Sequence, residues 1–264
     1  MKLRPAILAA ALACALPAVA PAAARAQGAQ GAQSAAEHVA VGDRERAANP
    51  ADALKHFEAA LAVEPGNYDA LWRAAVAAVD VGEGQTDAAQ RNAVYKQGEQ
   101  YARRAVQANP NDAEGHFALG RALGRIAQTL GSRDKVKYAG EVRAQAQEAL
   151  RLNPRHPGAL HIMGMWNAEI MRLNGVARFM AKNFLGGQVF GSANWNDAQR
   201  YLEQAVAIEP NRLVHRSDLA AVYADRGNVA KAREQAEFVV QAPAVEANDA
   251  KYKRDAEAVL RRLK

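Results

Sequence analysis

The chain has 264 residues, half of them hydrophobic and 23% charged, with a formal net charge of +6. Its single cysteine excludes an intramolecular disulfide, so a packed apolar core must stabilise the fold. No nucleic-acid partner is predicted, because that requires a clustered basic face rather than a modest overall charge.

The first 26 residues predict a secretory signal peptide. Lys2 and Arg4 precede a short apolar run over residues 6–20, and the small residues Ala24 and Ala26 precede Gln27. A basic start, a short apolar core and a small-x-small exit are the three parts of such a peptide. We therefore expect cleavage after Ala26 and a secreted or periplasmic location.

Two other fates of this leader stay open. It could remain uncleaved as an anchor, although Pro17 interrupts the apolar run, which is short of the roughly 20 residues that a membrane span needs. Cys14 could instead carry a lipid, but the preceding residues Ala11–Ala13 match a lipidation motif only weakly. Cleavage after Ala26 would remove three basic and no acidic residues, lowering the net charge from +6 to +3.

Residues 27–36 predict a flexible tether, and residues 37–264 a helical repeat domain. The tether reads QGAQGAQSAA and has no large apolar side chain. Four turn strings then punctuate Ala-rich helical segments: EPGN at 64–67, NPND at 109–112, NPRH at 153–156 and EPNR at 209–212. Proline disfavours helix in the residue before it, and Asn, Gly and Asp suit the following turn, so each string predicts a helix–turn–helix junction.

Residues of the same type lie at the same sequence distance from each of the four prolines. Alanine lies five positions before every one, at Ala60, Ala105, Ala149 and Ala205, and a small residue lies nine or ten positions after it. This pattern resembles the tetratricopeptide repeat (TPR), a pair of helices about 34 residues long that pack closely at small side chains. The resemblance implies an all-α TPR-like solenoid of about five helical hairpins.

Three of the repeats carry insertions. The prolines of the four strings and Pro243 are separated by 45, 44, 56 and 33 residues, and only the last interval suits an ordinary repeat. After Pro243, residues 246–264 predict an amphipathic helix that caps the solenoid, with a basic binding tail as the alternative.

More specific segments identify a family. Leu71-Trp72-Arg73, His161–Trp166 and Arg178–Leu185 resemble the regulator of microtubule dynamics proteins, a TPR-like group, and the resemblance extends from Ser34 to Lys264. It implies partner binding, with membrane or lipid links in some relatives, and it supplies no catalytic residue. An exported chain would not meet cytoplasmic microtubules, so that role is not carried over.

A concave groove is the candidate binding site. In this repeat the first helix of each pair lines the inner face, and positions seven and eleven after the prolines predict the groove residues Trp72, Val76, Phe117, Arg121, His161 and Met165. We expect an apolar groove with Arg121 as its only fixed charge, suited to an apolar peptide or an acyl chain. Alternatively, these side chains pack against the insertions.

The insertion over residues 171–195 predicts an amphipathic helix with basic residues opposite its apolar face. Its candidate lipid or membrane contacts are Val176, Phe179, Met180 and Phe184. Such a helix can lie on an anionic membrane, or it can be a solenoid helix whose apolar face is buried.

No catalytic constellation is present in the sequence. It contains no Gly-x-Ser-x-Gly elbow, phosphate-binding loop or His-Glu-x-x-His motif, and His156 and His161 have no cysteine or carboxylate near them in sequence to complete a metal site. We therefore predict a non-enzymatic scaffold without cofactor or metal, which binds a protein or peptide. A lipid-binding module using the groove and the 171–195 insertion is the alternative.

Overall fold

A computed structural model describes residues 33–173 and 190–264, in which eleven α-helices and one 3-10 turn, Phe190–Ser192, are present. The helices are α1 (Ala35–Glu45), α2 (Pro50–Val63), α3 (Tyr68–Gly84), α4 (Ala88–Ala108), α5 (Ala113–Thr129), α6 (Ser132–Leu152), α7 (Pro157–Arg172), α8 (Trp195–Ile208), α9 (Leu213–Asp225), α10 (Val229–Gln241) and α11 (Asp249–Arg262).

The proline strings end one helix and begin the next, as predicted. Each residue before a proline is a C-cap whose backbone N–H donates to the alanine four positions earlier: Glu64 to Ala60, Asn109 to Ala105, Asn153 to Ala149 and Glu209 to Ala205. At the first junction, the Asn67 side chain then accepts the N–H of Ala70 and starts α3.

The helices pack as five antiparallel hairpins: α1 with α2, α3 with α4, α5 with α6, α7 with α8, and α9 with α10. The first helices of successive hairpins also contact one another, from α1 through α3, α5 and α7 to α9, and so form an inner layer. Helix α11 packs on α9 and α10 and buries Tyr252, Ala256 and Val259 there. The predicted all-α solenoid is confirmed.

Close packing within the hairpins depends on small residues. The four alanines that lie five positions before the prolines are fully buried. Gly164 on α7 faces Leu202 on α8, which is also fully buried, and a Cβ at Gly164 would lie 2.6 Å from the Leu202 Cγ atom. Only glycine fits between these two helices without displacing Leu202.

Two of the three insertions lengthen helices rather than form loops. Helices α4 and α6 each have 21 residues, whereas α2 and α10, at the same position in other hairpins, have 14 and 13. The third insertion falls between α7 and α8, where residues 174–189 lie outside the described part of the chain.

The repeat unit begins at Ser34, slightly earlier than the predicted boundary at residue 37. The Ser34 side chain accepts the N–H of Glu37, and the Glu37 carboxylate accepts from Ser34, which forms a capping box. The end of the predicted tether is therefore the first turn of α1. No helix within residues 33–173 and 190–264 combines the length and apolar character needed to cross a bilayer.

Candidate functional site

All six predicted groove residues line one cavity on the inner layer of the solenoid. Trp72 and Val76 come from α3, Phe117 and Arg121 from α5, and His161 and Met165 from α7. The cavity has a volume of about 510 Å³, which falls within the ~300–1,000 Å³ of typical ligand pockets. Val76 is buried, and the other five side chains are partly exposed.

One wall of the cavity is apolar and aromatic. Trp72, Phe117 and Ile162 meet Trp166 and Phe190 there, and the last two rings stack with centroids 6.3 Å apart. Trp166 Nε1 donates to the carbonyl oxygen of Ala139 at 2.8 Å, which fixes the indole. The positions seven and eleven after each proline did not predict Trp166 and Phe190, because they select only two residues in each hairpin. The Gly164-x-Trp166 segment was a usable signal, since Trp166 directly follows Met165.

The expectation of a single fixed charge is wrong. Arg121 Nη2 lies 2.6 Å from Asp80 Oδ1 and 3.2 Å from Glu83 Oε1, and Arg125 Nη2 lies 2.7 Å from the same Glu83 oxygen. Tyr252 Oη donates to the other Glu83 oxygen at 2.6 Å. Because α3 and α5 are neighbours in the inner layer, their charged positions meet to form an ion-pair network at the cavity.

Glu83 is the centre of this network, with a side chain only 2% exposed. Burial alone would raise the pKa of this carboxyl, but the Arg125 and Arg121 guanidiniums and the Tyr252 hydroxyl outweigh it and lower the pKa to about 2. Burial also raises the pKa of Tyr252 well above its usual range, so its hydroxyl remains a donor. The network therefore holds a buried carboxylate in its charged form.

Histidines occupy the far end of the cavity. His161 Nε2 donates to Asp218 Oδ2 at 2.7 Å, and the His161 and His215 rings lie 4.8 Å apart in an edge-on arrangement. His215 Nε2 donates to Glu209 Oε2 at 2.9 Å. Burial lowers the pKa of His215 to about 4, despite the opposing hydrogen bond to Glu209, so this ring is neutral at pH 7. Sequence spacing gave no signal for these partners, which come from different hairpins.

His156 also lines this end, but its ring serves the fold. His156 Nδ1 accepts the N–H of Ala159 and so caps α7, while the ring lies 4.6 Å from that of Phe117. Within residues 33–173 and 190–264, no group of three or more His, Cys, Asp or Glu side chains is arranged to hold a metal ion.

A connection near the C-terminus bridges the concave face. We call residues 243–248, which join α10 to α11, the strap. Ala247 N donates to the carbonyl oxygen of Ala47 at 2.8 Å, and Asn248 Nδ2 donates to the carbonyl oxygen of Asp80 at 3.0 Å. The first residues of α11 follow, with Tyr252 on Glu83. The last hairpin is thereby tied to the first two, and the groove becomes a partly enclosed cavity.

The predicted lipid contacts Val176, Phe179, Met180 and Phe184 lie outside the described residues. Only the ends of the predicted 171–195 helix are described. Met171 and Arg172 belong to α7, and Trp195 is the first residue of α8.

Known proteins resemble both the sequence and the fold. The family model "Regulator of microtubule dynamics protein 1-3" matches residues 34–264. Regulator of microtubule dynamics protein 1 of Bos taurus is 25% identical over 150 residues, which cover 56% of this chain and 46% of the relative. Regulator of microtubule dynamics protein 3 of Bos taurus is 22% identical over 200 residues, covering 74% and 41% respectively. The chain thus spans less than half the length of these relatives.

A thermophilic TPR protein of Thermus thermophilus has the same fold, with a TM-score of 0.60 and 21% identity, covering 86% of this chain and 98% of that one. The resemblance read from the sequence is confirmed: the chain belongs to the regulator of microtubule dynamics protein 1-3 family.

Proposed function

We propose that this protein is an exported scaffold that binds a protein or peptide partner through its concave face, with an apolar segment of the partner in the cavity. The observation that carries the proposal is the cavity itself, in which Trp72, Phe117 and Trp166 from three successive hairpins face a common space. Aromatic walls with a few placed polar groups are typical of binding sites.

Apolar contact supplies most of the proposed recognition. The Arg121 and Arg125 guanidiniums already pair with Asp80 and Glu83, so a partner's carboxylate would have to displace these ion pairs. An apolar side chain against Trp72 and Phe117 displaces only water. The partner is therefore expected to offer large apolar residues rather than a free C-terminus.

Filling the cavity is expected to weaken partner binding without harming the fold. Gly124 lies on α5 and lines the cavity, and a Cβ there would meet nothing within 4 Å. Gly124→Leu therefore projects a side chain into the cavity, while the change from glycine favours the helix. We expect the amount of protein that co-purifies with the full chain from cell-envelope extract to fall by about tenfold or more, as lost apolar burial of ~1.5–3 kcal/mol implies.

Gly140→Leu is the matched control. Gly140 lies on α6, also has nothing within 4 Å of a built Cβ, and does not line the cavity. Partners retained by the wild type and by Gly140→Leu but lost from Gly124→Leu support the proposal. Equal recovery from all three proteins, measured by quantitative mass spectrometry, contradicts it.

Lipid binding is the second candidate, favoured by the strap. A bridged face encloses a ligand better than it admits a long partner helix, and the aromatic wall suits an acyl chain. For lipid contacts by Val176, Phe179, Met180 and Phe184, the support is the amphipathic sequence pattern alone.

Native mass spectrometry of the full chain, purified from its own cells, tests export and lipid binding together. Export with cleavage predicts a polypeptide that starts at Gln27 and carries no added mass. A chain starting at Cys14 with added acyl mass would indicate lipid attachment, and retention of Met1–Ala26 would contradict cleavage. A lipid mass that dissociates on collisional activation would favour the lipid-binding candidate over a peptide partner.

A further inference from the structure

The strap keeps its shape through contacts of its own. Asp249 Oδ2 accepts the backbone N–H groups of both Val245 and Glu246, each at 2.8 Å. These two bonds fold the strap onto the first turn of α11, and neither involves another hairpin. The strap can therefore leave the opposite side of the cavity without losing its local structure.

Few contacts hold the strap and α11 against the first two hairpins. The hydrogen bonds on this side are those of Ala247 to Ala47, of Asn248 to Asp80 and of Tyr252 to Glu83, whereas the described helices with which α11 has its extensive contacts are α9 and α10. A repeat array bends through small rotations between neighbouring repeats. Separation of its two ends thus breaks these hydrogen bonds and leaves α11 packed on α9 and α10.

Glu83 links α11, which follows the strap, to the arginines of the cavity wall. The carboxylate that accepts the Tyr252 hydroxyl also pairs with Arg121 and Arg125, and both arginines line the cavity. The contact of α11 with the second hairpin therefore adjoins the cavity wall.

We propose that the strap is a gate over the concave cavity. In the closed state, which the structure shows, the cavity admits small groups. A longer partner segment enters when Ala247, Asn248 and Tyr252 leave their acceptors on the first two hairpins. This inference rests on the proposed binding role of the concave face, but access to the cavity can be measured without any partner.

Size-dependent labelling of a cysteine in the cavity tests the gate. The reporter is Gly124→Cys in the full chain carrying Cys14→Ser, which leaves one thiol. Its rate of reaction is measured with N-ethylmaleimide and with a 5 kDa polyethylene glycol maleimide. Adding Asn248→Ala and Tyr252→Phe is expected to speed labelling by the large reagent about tenfold or more, since two of the bridging hydrogen bonds are lost, and to leave the small reagent unchanged.

The same pair of substitutions with a Gly140→Cys reporter outside the cavity serves as the control and should change neither rate. If the labelling rate of each reagent at Gly124→Cys is the same with and without Asn248→Ala and Tyr252→Phe, the gate is overturned. It is also overturned if both reagents speed up alike, because that indicates general loosening.

Hydrogen exchange supplies a measurement that needs no substitution. In the unaltered chain, the Ala247 amide should exchange by local opening, faster than the buried backbone of α9. Exchange of Ala247 only through global unfolding would overturn the gate. Neither result depends on a partner, so the gate and the proposed binding function can fail separately.

Discussion

Replacing Glu83 with alanine is expected to lower the free energy of unfolding by ~3–5 kcal/mol, the usual cost of leaving buried charges without their partner. The change strands the Arg125 guanidinium, weakens the pairing of Arg121 and removes the acceptor of the Tyr252 hydroxyl. Urea unfolding followed by circular dichroism at pH 7 measures the loss.

Glu148→Ala is the control for this prediction. Glu148 pairs with Arg151 one helical turn away on α6, at the surface, and exposed pairs of this kind often contribute nothing measurable. Glu83→Gln should fall between the wild type and Glu83→Ala, because the amide still accepts from Tyr252 but carries no charge. A Glu83→Ala protein with wild-type stability would show that the network contributes nothing to the fold.

Acidification is expected to destabilise the protein in two steps, the first of which depends on His215. The pKa of His215 is about 4 in the folded chain, against 6.5 for the unperturbed side chain, so the unfolded chain takes up the proton first as the pH falls. The contribution of neutral His215 to the free energy of unfolding is therefore fully present above pH 6.5. It is lost as the pH falls from 6.5 to 4, by up to about 3 kcal/mol. The groups that face the ring are Glu209, His161 and Arg212.

The second step comes from Glu83. Its folded pKa of about 2 lies below the unperturbed 4.5, so its contribution is present above pH 4.5 and is lost as the pH falls from there towards 2. Unfolding free energies measured by urea titration from pH 7.5 to 3 separate the two ranges. His215→Gln should flatten the curve between pH 6.5 and 4 and leave the decline below pH 4.5. An unchanged curve would show that His215 does not control the first step.

The sequence could predict the helices and six residues of the cavity lining because these depend on local, periodic features. A proline ends a helix wherever it stands, and the alanines at Ala60, Ala105, Ala149 and Ala205 recur at the close approaches of each hairpin. Since each hairpin repeats the same geometry, a fixed offset from the proline selects the same face every time. For this reason the spacing alone could place Trp72, Phe117 and Met165 together.

The charged partners could be found only in three dimensions. Asp80 and Glu83 on one hairpin meet Arg121 and Arg125 on the next, and His161 meets Asp218, 57 residues away. In the sequence, carboxylates and guanidiniums at these positions are equally consistent with a helix face that is exposed to solvent. Which of them pair depends on how one inner helix is rotated and shifted along its neighbour, and no spacing within a single helix carries that information.

The helical hairpins, their order, the small residues between them and the face that each presents to the groove thus follow from local sequence patterns. The bridge across this groove, with Ala247 on Ala47 and Tyr252 on Glu83, is a property of the folded chain. The two ends meet because small rotations between repeats accumulate over five hairpins. Each rotation is set by packing between neighbouring repeats, so the bridging of the groove depends on all the repeats together and cannot be predicted from one segment.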